Sequence, residues 1–311
     1  MSMSKLSSPL FDHIVRWIYS SRSVDQHPLS TNHITNVKIS SMDDWMNSTF
    51  GADRRNIAAF SITLLGSVLS LGLLEQVGKW TPEKLRRKLV HIGMGPIYVL
   101  FWNLFAGEDL ASRFWCASIP GIFTFYFILV GLGLAKNEQL VKTLSRSGDC
   151  REILKGPTFY GLAIVASTLA FWRRDVASIV TIMILCGGDG FADVIGRSFG
   201  HSTRFSNSKS LMGSIGMFCG GFAFSSLYLY YFEKSGNYGS EFSTLSHLPH
   251  LAFINLACTV VESLTYDRSR SSATNHGSTH KAQSSPLWSY IFGEDNIVVS
   301  LTASLLSKLI L

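Results

Sequence analysis

Charged residues are scarce in this sequence, and long apolar stretches take their place. Only 15% of the 311 residues are Asp, Glu, Lys or Arg, whereas 47% are hydrophobic. A soluble domain carries about 25% charged residues, and a helix needs about 20 apolar residues to cross a bilayer. The composition therefore excludes a disordered chain and an ordinary water-soluble domain, and it predicts a membrane protein with several spans.

Paired cysteines are also missing. The five cysteines, Cys116, Cys150, Cys186, Cys219 and Cys258, include no CxxC pair, which is the usual spacing in zinc and redox motifs. Four of them lie in apolar stretches. We therefore expect free thiols that neither bind a metal nor form disulfides.

The first 56 residues lack the apolar core that a secretory signal needs. This segment, 1–56, is a polar, serine-rich leader. Its serine and arginine content favours an organelle transit segment, such as a plastid one, whereas its aspartates (Asp12, Asp25, Asp43 and Asp44) favour a disordered cytosolic tail. From the sequence both interpretations stay open.

The rest of the chain, 57–311, predicts an integral membrane domain. We expect an all-α, polytopic helical bundle with about 7–8 transmembrane helices, since each apolar block approaches the length of a span. Gly and Pro within the blocks are tolerated in packed membrane helices. The blocks are 57–78, 89–106, 114–134, 157–172, 176–196, 211–232, 248–265 and 297–311.

A Ser- and His-rich segment, 266–290, separates the last two blocks. His276 and His280 are four residues apart, a spacing that can bind zinc on a helix. No Cys or carboxylate stands close to them, and the segment is polar and interrupted by glycine. A flexible, solvated loop is therefore predicted here.

Lysine and arginine are unevenly distributed over the loops. The loops after the first, third, fifth and seventh blocks carry most of them. The positive-inside rule places these loops on the cytosolic or stromal side. The net charge of +6 is thus a topology signal divided among short loops, and nucleic-acid binding is not expected.

Two aspartates stand inside the fifth apolar block. An aspartate in a membrane helix costs about 2.5–3.5 kcal/mol on insertion scales, so a function is expected to keep it there. The spacing of four puts Asp189 and Asp193 on one helix face, which Arg197 continues. Paired carboxylates suit Mg²⁺ that carries nucleotide phosphates, and the alternative is a structural Asp–Arg pair.

Glycines and a second polar cluster extend this prediction. Gly187, Gly188 and Gly190 would let a backbone approach phosphate and offer N–H donors, which a purely structural pair leaves unexplained. The segment NSKSLMGS, 207–214, places an ammonium, hydroxyls and free N–H groups at a helix start. That arrangement favours an anion, although the P-loop spacing is absent.

Other polar residues fall on the same predicted side. Arg87 and Lys88 precede the second block and are either a basic membrane anchor or phosphate contacts. His91 is either a buried hydrogen-bonding histidine or a phosphate contact. Glu262, near the end of the seventh block, is a functional candidate or the partner of a nearby cation. This convergence predicts one interfacial site where a soluble nucleotide meets a lipid-dissolved molecule.

Five ordered motifs resemble the plant phytol kinase and farnesol kinase group of the CTP-dependent polyprenol kinase family. The resemblance covers about residues 57–265 and resumes at Asp295-Asn296. The motifs are RKLVHI at Arg87–Ile92, SRSGDCREILKGPTFY at Ser145–Tyr160, CGGDGFADVIGRSFG at Cys186–Gly200, NSKSLMGSIGM at Asn207–Met217 and VVESL at Val260–Leu264.

The resemblance implies phosphoryl transfer from CTP, with Mg²⁺, to the hydroxyl of a free isoprenoid alcohol. Phytol, salvaged toward tocopherol biosynthesis, is the expected substrate, and farnesol and geranylgeraniol are the alternatives. A multi-pass protein of the chloroplast membrane is implied, with its site on the stromal face. The oligomeric state is not predicted.

The resemblance also implies roles for individual residues. Asp189 and Asp193 would hold Mg²⁺, and either Asp193 or Glu262 would accept the proton of the hydroxyl. The catalytic residues would be Asp189, Asp193, Lys209 and Glu262. The nucleotide- and phosphate-binding residues would be Arg87, Lys88, His91, Gly187, Gly188, Gly190, Arg197, Ser210, Gly213 and Ser214.

Two further function classes remain open from the sequence. A cytidylyltransferase that makes a CDP-activated lipid would also bring CTP and Mg²⁺ to a membrane face. A transporter or non-catalytic membrane protein would instead line a path with charge.

The chain also departs from the family pattern, because Thr265 replaces a proline and a long segment separates Leu264 from Asp295. If that segment displaces the last helix, activity would fall.

Overall fold

A computed structural model describes residues 51–145, 147–205, 209–239, 241–265 and 295–311. This part of the chain forms helices and contains no β-strand, which confirms the all-α prediction. Most of the predicted leader and the whole of the predicted loop 266–290 lie outside these ranges. The five cysteines are free, as expected.

The helices follow the predicted apolar blocks, with one short additional helix, α4, after the third. They are α1 (Ala52–Gly78), α2 (Glu83–Leu100), α3 (Leu110–Gly131), α4 (Glu138–Leu144), α5 (Gly156–Phe171), α6 (Val176–Met183), α7 (Asp189–Phe199), α8 (Leu211–Lys234), α9 (Thr244–Leu264) and α10 (Asp295–Ile310). Short 3₁₀ helices span Phe101–Leu104 and Cys150–Leu154, and a π-helical segment, Ile184–Gly188, joins α6 to α7.

Among the described residues, six helical stretches are long and apolar enough to cross a membrane. They are Ala52–Gly78, Leu110–Gly131, Cys150–Phe171, Val176–Phe199, Leu211–Lys234 and Thr244–Leu264. The other two predicted spans correspond to α2, which begins with charged residues, and to the shorter α10. The predicted membrane bundle is confirmed, and its count of about 7–8 spans roughly agrees.

The first helix begins earlier than the apolar pattern predicts. Arg55 and Asn56, which the polar composition places in the predicted leader, lie in α1 and are buried. Nε of Arg55 donates to the carbonyl of Leu104 at 2.9 Å, and Oδ1 of Asn56 accepts from the amide of Ala106 at 2.9 Å. These polar residues belong to the bundle because they bond the carbonyl and amide groups after α2.

Glycines set the distance between the π-helical segment with α7 and the facing helix α8. A Cβ on Gly220 would lie 2.6 Å from the carbonyl oxygen of Gly187, and one on Gly216 would lie 2.7 Å from that of Phe191. Small residues at such positions let membrane helices approach closely. The first half of α8 is thereby held against the π-helical segment and the start of α7.

The last helix packs into the bundle despite the long segment before it. It contacts α5, α6 and α9. Nδ2 of Asn296 donates to the carbonyl of Gly156 at 3.3 Å, and the hydroxyls of Thr181 and Ser304 lie 2.9 Å apart. Lys308 pairs with Asp175. The segment before α10 therefore does not displace it.

The glycine packing can be tested by adding one methyl group. We expect Gly220→Ala to lower the free energy of unfolding by about 1–3 kcal/mol, because overpacking must shift rigid backbone. The matched control is Gly121→Ala in α3, where a Cβ meets nothing within 4 Å. Alanine there should be neutral or stabilise by about 0.5–1 kcal/mol.

Thermal unfolding of the purified variants in detergent measures the difference. Equal melting temperatures for the two variants would contradict the close approach of α8 to the π-helical segment.

Candidate functional site

The described site residues gather at one end of the bundle. This end contains the starts of α2, α5, α8 and α10 and the ends of α7 and α9. Three contacts join neighbouring helices here: Lys88 of α2 to Asp189 at the start of α7, Lys209 to Glu262, and Asn296 to Gly156. The loops at this end are those that carry most of the basic residues. These contacts lie toward the end of the bundle that carries the basic loops, and that the residues form one interfacial site stays a prediction.

Asp189 opens α7 and is bonded by two side chains from α2. Its Oδ2 lies 2.7 Å from Nζ of Lys88 and 2.9 Å from Nε2 of His91. The Lys88 side chain is 9% exposed and that of Asp189 is 22% exposed, so the pair is largely withdrawn from solvent. Lys88 is therefore the partner of a buried carboxylate rather than a solvent-facing membrane anchor.

His91 faces two acceptors with one ring nitrogen. Its Nε2 lies 2.9 Å from Oδ2 of Asp189 and 3.1 Å from the carbonyl oxygen of Leu185. Because both partners accept, Nε2 must carry the hydrogen. Leu185 belongs to the π-helical segment, an irregularity that is frequent at functional sites.

Asp193 lies one helical turn after Asp189 and has a different environment. Its Oδ1 accepts from Nε of Arg197 at 2.8 Å. Its Oδ2 is buried and has no hydrogen-bond partner among the described residues. Buried carboxylate oxygens are costly when they stay unsatisfied, so this oxygen is open to a ligand.

The donor set is compatible with Mg²⁺ shared with a nucleotide. Within the described ranges, no three His, Cys, Asp or Glu side chains converge on one point, so a site made by protein ligands alone is not present there. Nucleotide-bound Mg²⁺ usually reaches the protein through one or two carboxylates and takes its other ligands from phosphate and water. The open Oδ2 of Asp193, near Asp189 on one helix, fits that pattern.

Lys209 and Glu262 form a buried ion pair between the start of α8 and the end of α9. Their side chains are 10% and 9% exposed. Of the two interpretations of Glu262, the structure favours the partner of a nearby cation. The pair lies beside the N-terminus of α8, where Ser210 is the cap.

The hydroxyl groups at the start of α8 take part in helix capping. Oγ of Ser210 accepts from the amide of Gly213 at 3.1 Å, and Oγ of Ser214 donates to the Ser210 carbonyl at 3.4 Å. Gly213 itself packs against the carbonyl of Ala192. These contacts fix the helix start, and phosphate binding by these residues stays a prediction.

Helix packing explains Gly187, which precedes α7, and Gly190, which is its second residue. Gly187, Gly188 and Gly190 are buried. A Cβ on Gly187 would lie 2.9 Å from the carbonyl oxygen of Gly220, and Gly190 lies against Ile92 with no room for a Cβ. A structural role therefore accounts for Gly187 and Gly190, whereas a Cβ on Gly188 would make only an ordinary contact, at 3.4 Å from Met217. That they bind phosphate stays a prediction.

Sequence reasoning gave no role to one residue that contacts His91. The hydroxyl of Tyr160, in α5, donates to the carbonyl of His91 at 2.8 Å. Tyr160 is the last residue of the motif Ser145–Tyr160, but its position in the sequence does not indicate a contact with α2. Arg87 stands next to Lys88 in α2, and its predicted phosphate contact remains untested.

Comparison with curated proteins identifies plant relatives. The chain is 38% identical over 229 residues to "Probable phytol kinase 2, chloroplastic" of Oryza sativa subsp. japonica, covering 73% of this chain and 66% of that protein. It is 38% identical over 184 residues to "Farnesol kinase, chloroplastic" of Arabidopsis thaliana (58% and 60%). It is 40% identical over 184 residues to "Phytol kinase 1, chloroplastic" of the same plant (58% and 59%).

These comparisons confirm the resemblance to the plant phytol kinase and farnesol kinase group. The matched region spans less than two thirds of the length of each of these relatives. No protein-family model matches the chain. No solved structure matches it.

The Lys209–Glu262 pair can be tested by removing its members singly and together. We expect Lys209→Met to lower the free energy of unfolding by about 3–5 kcal/mol, because it takes away the cation that faces a buried carboxylate. The double variant Lys209→Met/Glu262→Leu should recover most of that loss. Lys234→Met is the control, since Lys234 is 59% exposed beside Glu233 and such pairs contribute about 0–1 kcal/mol.

Thermal unfolding in detergent provides the comparison. A double variant that is as unstable as Lys209→Met alone would show that the two charges do not stabilise each other.

Proposed function

We propose that this relative of plant phytol and farnesol kinases phosphorylates a free isoprenoid alcohol in a chloroplast membrane. The observation that carries the proposal is the contact of Lys88 and His91 with Asp189 at one end of an apolar helical bundle. A charged site at such an end suits a reaction between a water-soluble anion and a lipid-dissolved alcohol. The printed names of the relatives support the class of substrate.

The reaction transfers one phosphoryl group. The oxygen of the alcohol attacks the γ-phosphorus of a nucleoside triphosphate, and the bond from that phosphorus to the β-phosphate oxygen breaks. The products are an isoprenyl monophosphate, a nucleoside diphosphate and the proton of the hydroxyl. Such transfers depend mainly on positioning and on neutralising charge.

Asp189 and Asp193 are the residues that would hold Mg²⁺. When bound, the ion would neutralise phosphate charge. The open Oδ2 of Asp193 supports this role. Either Asp193 or Glu262 would accept the proton of the hydroxyl group.

The cations at this end would bind phosphate by exchanging partners. Lys88, Arg197 and Lys209 each face a carboxylate in the structure. Buried charges need a partner of opposite sign, so a phosphate oxygen can replace Asp189 or Asp193 when that carboxylate takes a metal ion, and Glu262 when it accepts the proton of the hydroxyl. Arg87, Ser210, Gly213 and Ser214 are proposed to add phosphate contacts at the same end.

CTP as the donor, phytol as the preferred alcohol and a stromal site are finer proposals that follow from the family resemblance. Farnesol and geranylgeraniol are the alternative alcohols. The lipid tail would lie between apolar helices with its hydroxyl at the charged end. The distribution of basic loops supports the stromal orientation.

An assay of membranes that contain the protein tests the reaction. CTP, ATP, GTP and UTP, each labelled at the γ-phosphate, are supplied with phytol, farnesol or geranylgeraniol. We expect label in phytyl monophosphate, with CTP the best donor and CDP released in equal amount. Release of pyrophosphate would identify a cytidylyltransferase, and no transfer from any donor to any alcohol would refute the kinase.

The role of Asp189 has its own test. We expect Asp189→Asn to lower turnover about 100-fold or more, because the charge that would orient the metal–phosphate complex is lost. Asp175→Asn is the control, since Asp175 caps α6 at the opposite end and asparagine is an equally good cap. The ion pair with Lys308 that this variant also removes has a cation that is 53% exposed, and such pairs contribute about 0–1 kcal/mol. Membrane insertion is checked by fluorescence size-exclusion chromatography, and near wild-type turnover of Asp189→Asn would contradict the assignment.

A further inference from the structure

Tyr160 of α5 contacts His91 in two ways. Its hydroxyl donates to the main-chain carbonyl of His91 at 2.8 Å. Its ring also lies against the imidazole, with 4.1 Å between the centroids and 38° between the planes. One side chain thus constrains both the backbone and the ring of His91.

The hydroxyl of Tyr160 is itself fixed. It lies 3.0 Å from Sγ of Cys186, and because its hydrogen is directed to His91, the thiol is the donor in this contact. Cys186 is fully buried in the π-helical segment. A Cβ on Gly95 would lie 3.0 Å from the Tyr160 hydroxyl and would collide with Sγ of Cys186. Only glycine at position 95 leaves room for this arrangement.

These contacts connect three helical elements to one imidazole. Tyr160 in α5 bonds to His91 in α2, and Cys186 precedes Asp189 by less than one turn. Nε2 of His91 can point at Asp189 only while the ring keeps its present orientation. A neutral imidazole presents one donor, so a rotated ring would lose this bond to the carboxylate.

We propose that Tyr160 is a positioning residue that orients the imidazole of His91 toward the carboxylate of Asp189. The thiol of Cys186 contacts the Tyr160 hydroxyl, and the absence of a Cβ on Gly95 leaves space for it. The catalytic part of this inference rests on the proposed kinase function. Tyr160 acts through His91 and does not touch the substrate. Outer partners of functional side chains typically contribute about 10–100-fold to activity.

Tyr160→Phe is the decisive variant because it removes the hydroxyl and keeps the stacked ring. We expect kcat to fall about 10-fold, with the KM values for nucleotide and alcohol unchanged, as for an interaction that matters in the transition state. Tyr126→Phe is the control. Its hydroxyl accepts from Nδ2 of Asn137 and is not among the contacts of His91 or Asp189, so kcat should stay at the wild-type value.

A double-mutant cycle distinguishes positioning from general damage. If Tyr160 works through the imidazole, Tyr160→Phe should cause no further loss of kcat in a His91→Ala background. An equal fractional loss in both backgrounds would overturn the proposal. So would a kcat of Tyr160→Phe that equals that of Tyr126→Phe.

A second readout does not depend on kinase activity. In protein with ¹⁵N-labelled histidine, the ring signals of His91 among the nine histidines are identified by their loss in His91→Ala. We expect the wild type to show one tautomer with hydrogen on Nε2, and Tyr160→Phe to shift or broaden these signals while Tyr126→Phe leaves them unchanged. Unchanged signals in Tyr160→Phe would overturn the proposal. A wild type with this spectrum but no transfer to any alcohol would refute the kinase function alone.

Discussion

The carboxylate of Asp189 lies in a helical stretch that is long and apolar enough to cross a membrane, and its charge must be balanced there. An unpaired charge at such a place costs several kcal/mol. The balancing charge comes from Lys88 of α2, and His91 of the same helix adds a hydrogen bond; both residues lie far away in sequence. This contact fixes the start of α2 against the start of α7.

Close packing by glycine provides the second part of the arrangement. The glycines of the π-helical segment and α8 bring the two backbones together, and α8 in turn carries Lys209 to Glu262 on α9. Apolar helices in lipid gain little from hydrophobic burial against each other, so close van der Waals contact and polar pairs must hold them. The same small residues that pack α8 against α7 therefore also place Lys209 where it meets Glu262.

The sequence predicted the helices and the side of the bundle that carries the basic loops. It could not predict which side chains contact each other. Hydropathy located the helices, and a spacing of four located Asp189 and Asp193 on α7. Partners such as Lys88 depend on tertiary packing, which periodicity does not report. The role of a glycine is ambiguous for the same reason, since the close approach of another helix backbone and the binding of a phosphate both favour glycine. Arg55 was misplaced because a polar residue at a helix start resembles the leader before it.

The attachment of α10 has a consequence for how the chain tolerates changes of length. Asn296, Ser304 and Lys308 bind this helix to Gly156, Thr181 and Asp175 along its whole length. Its location is therefore set by its own contacts and not by the covalent connection from Thr265. Lengthening a connection of that kind adds only a slowly growing closure entropy. Insertions between α9 and α10 are consequently expected to be nearly neutral for assembly.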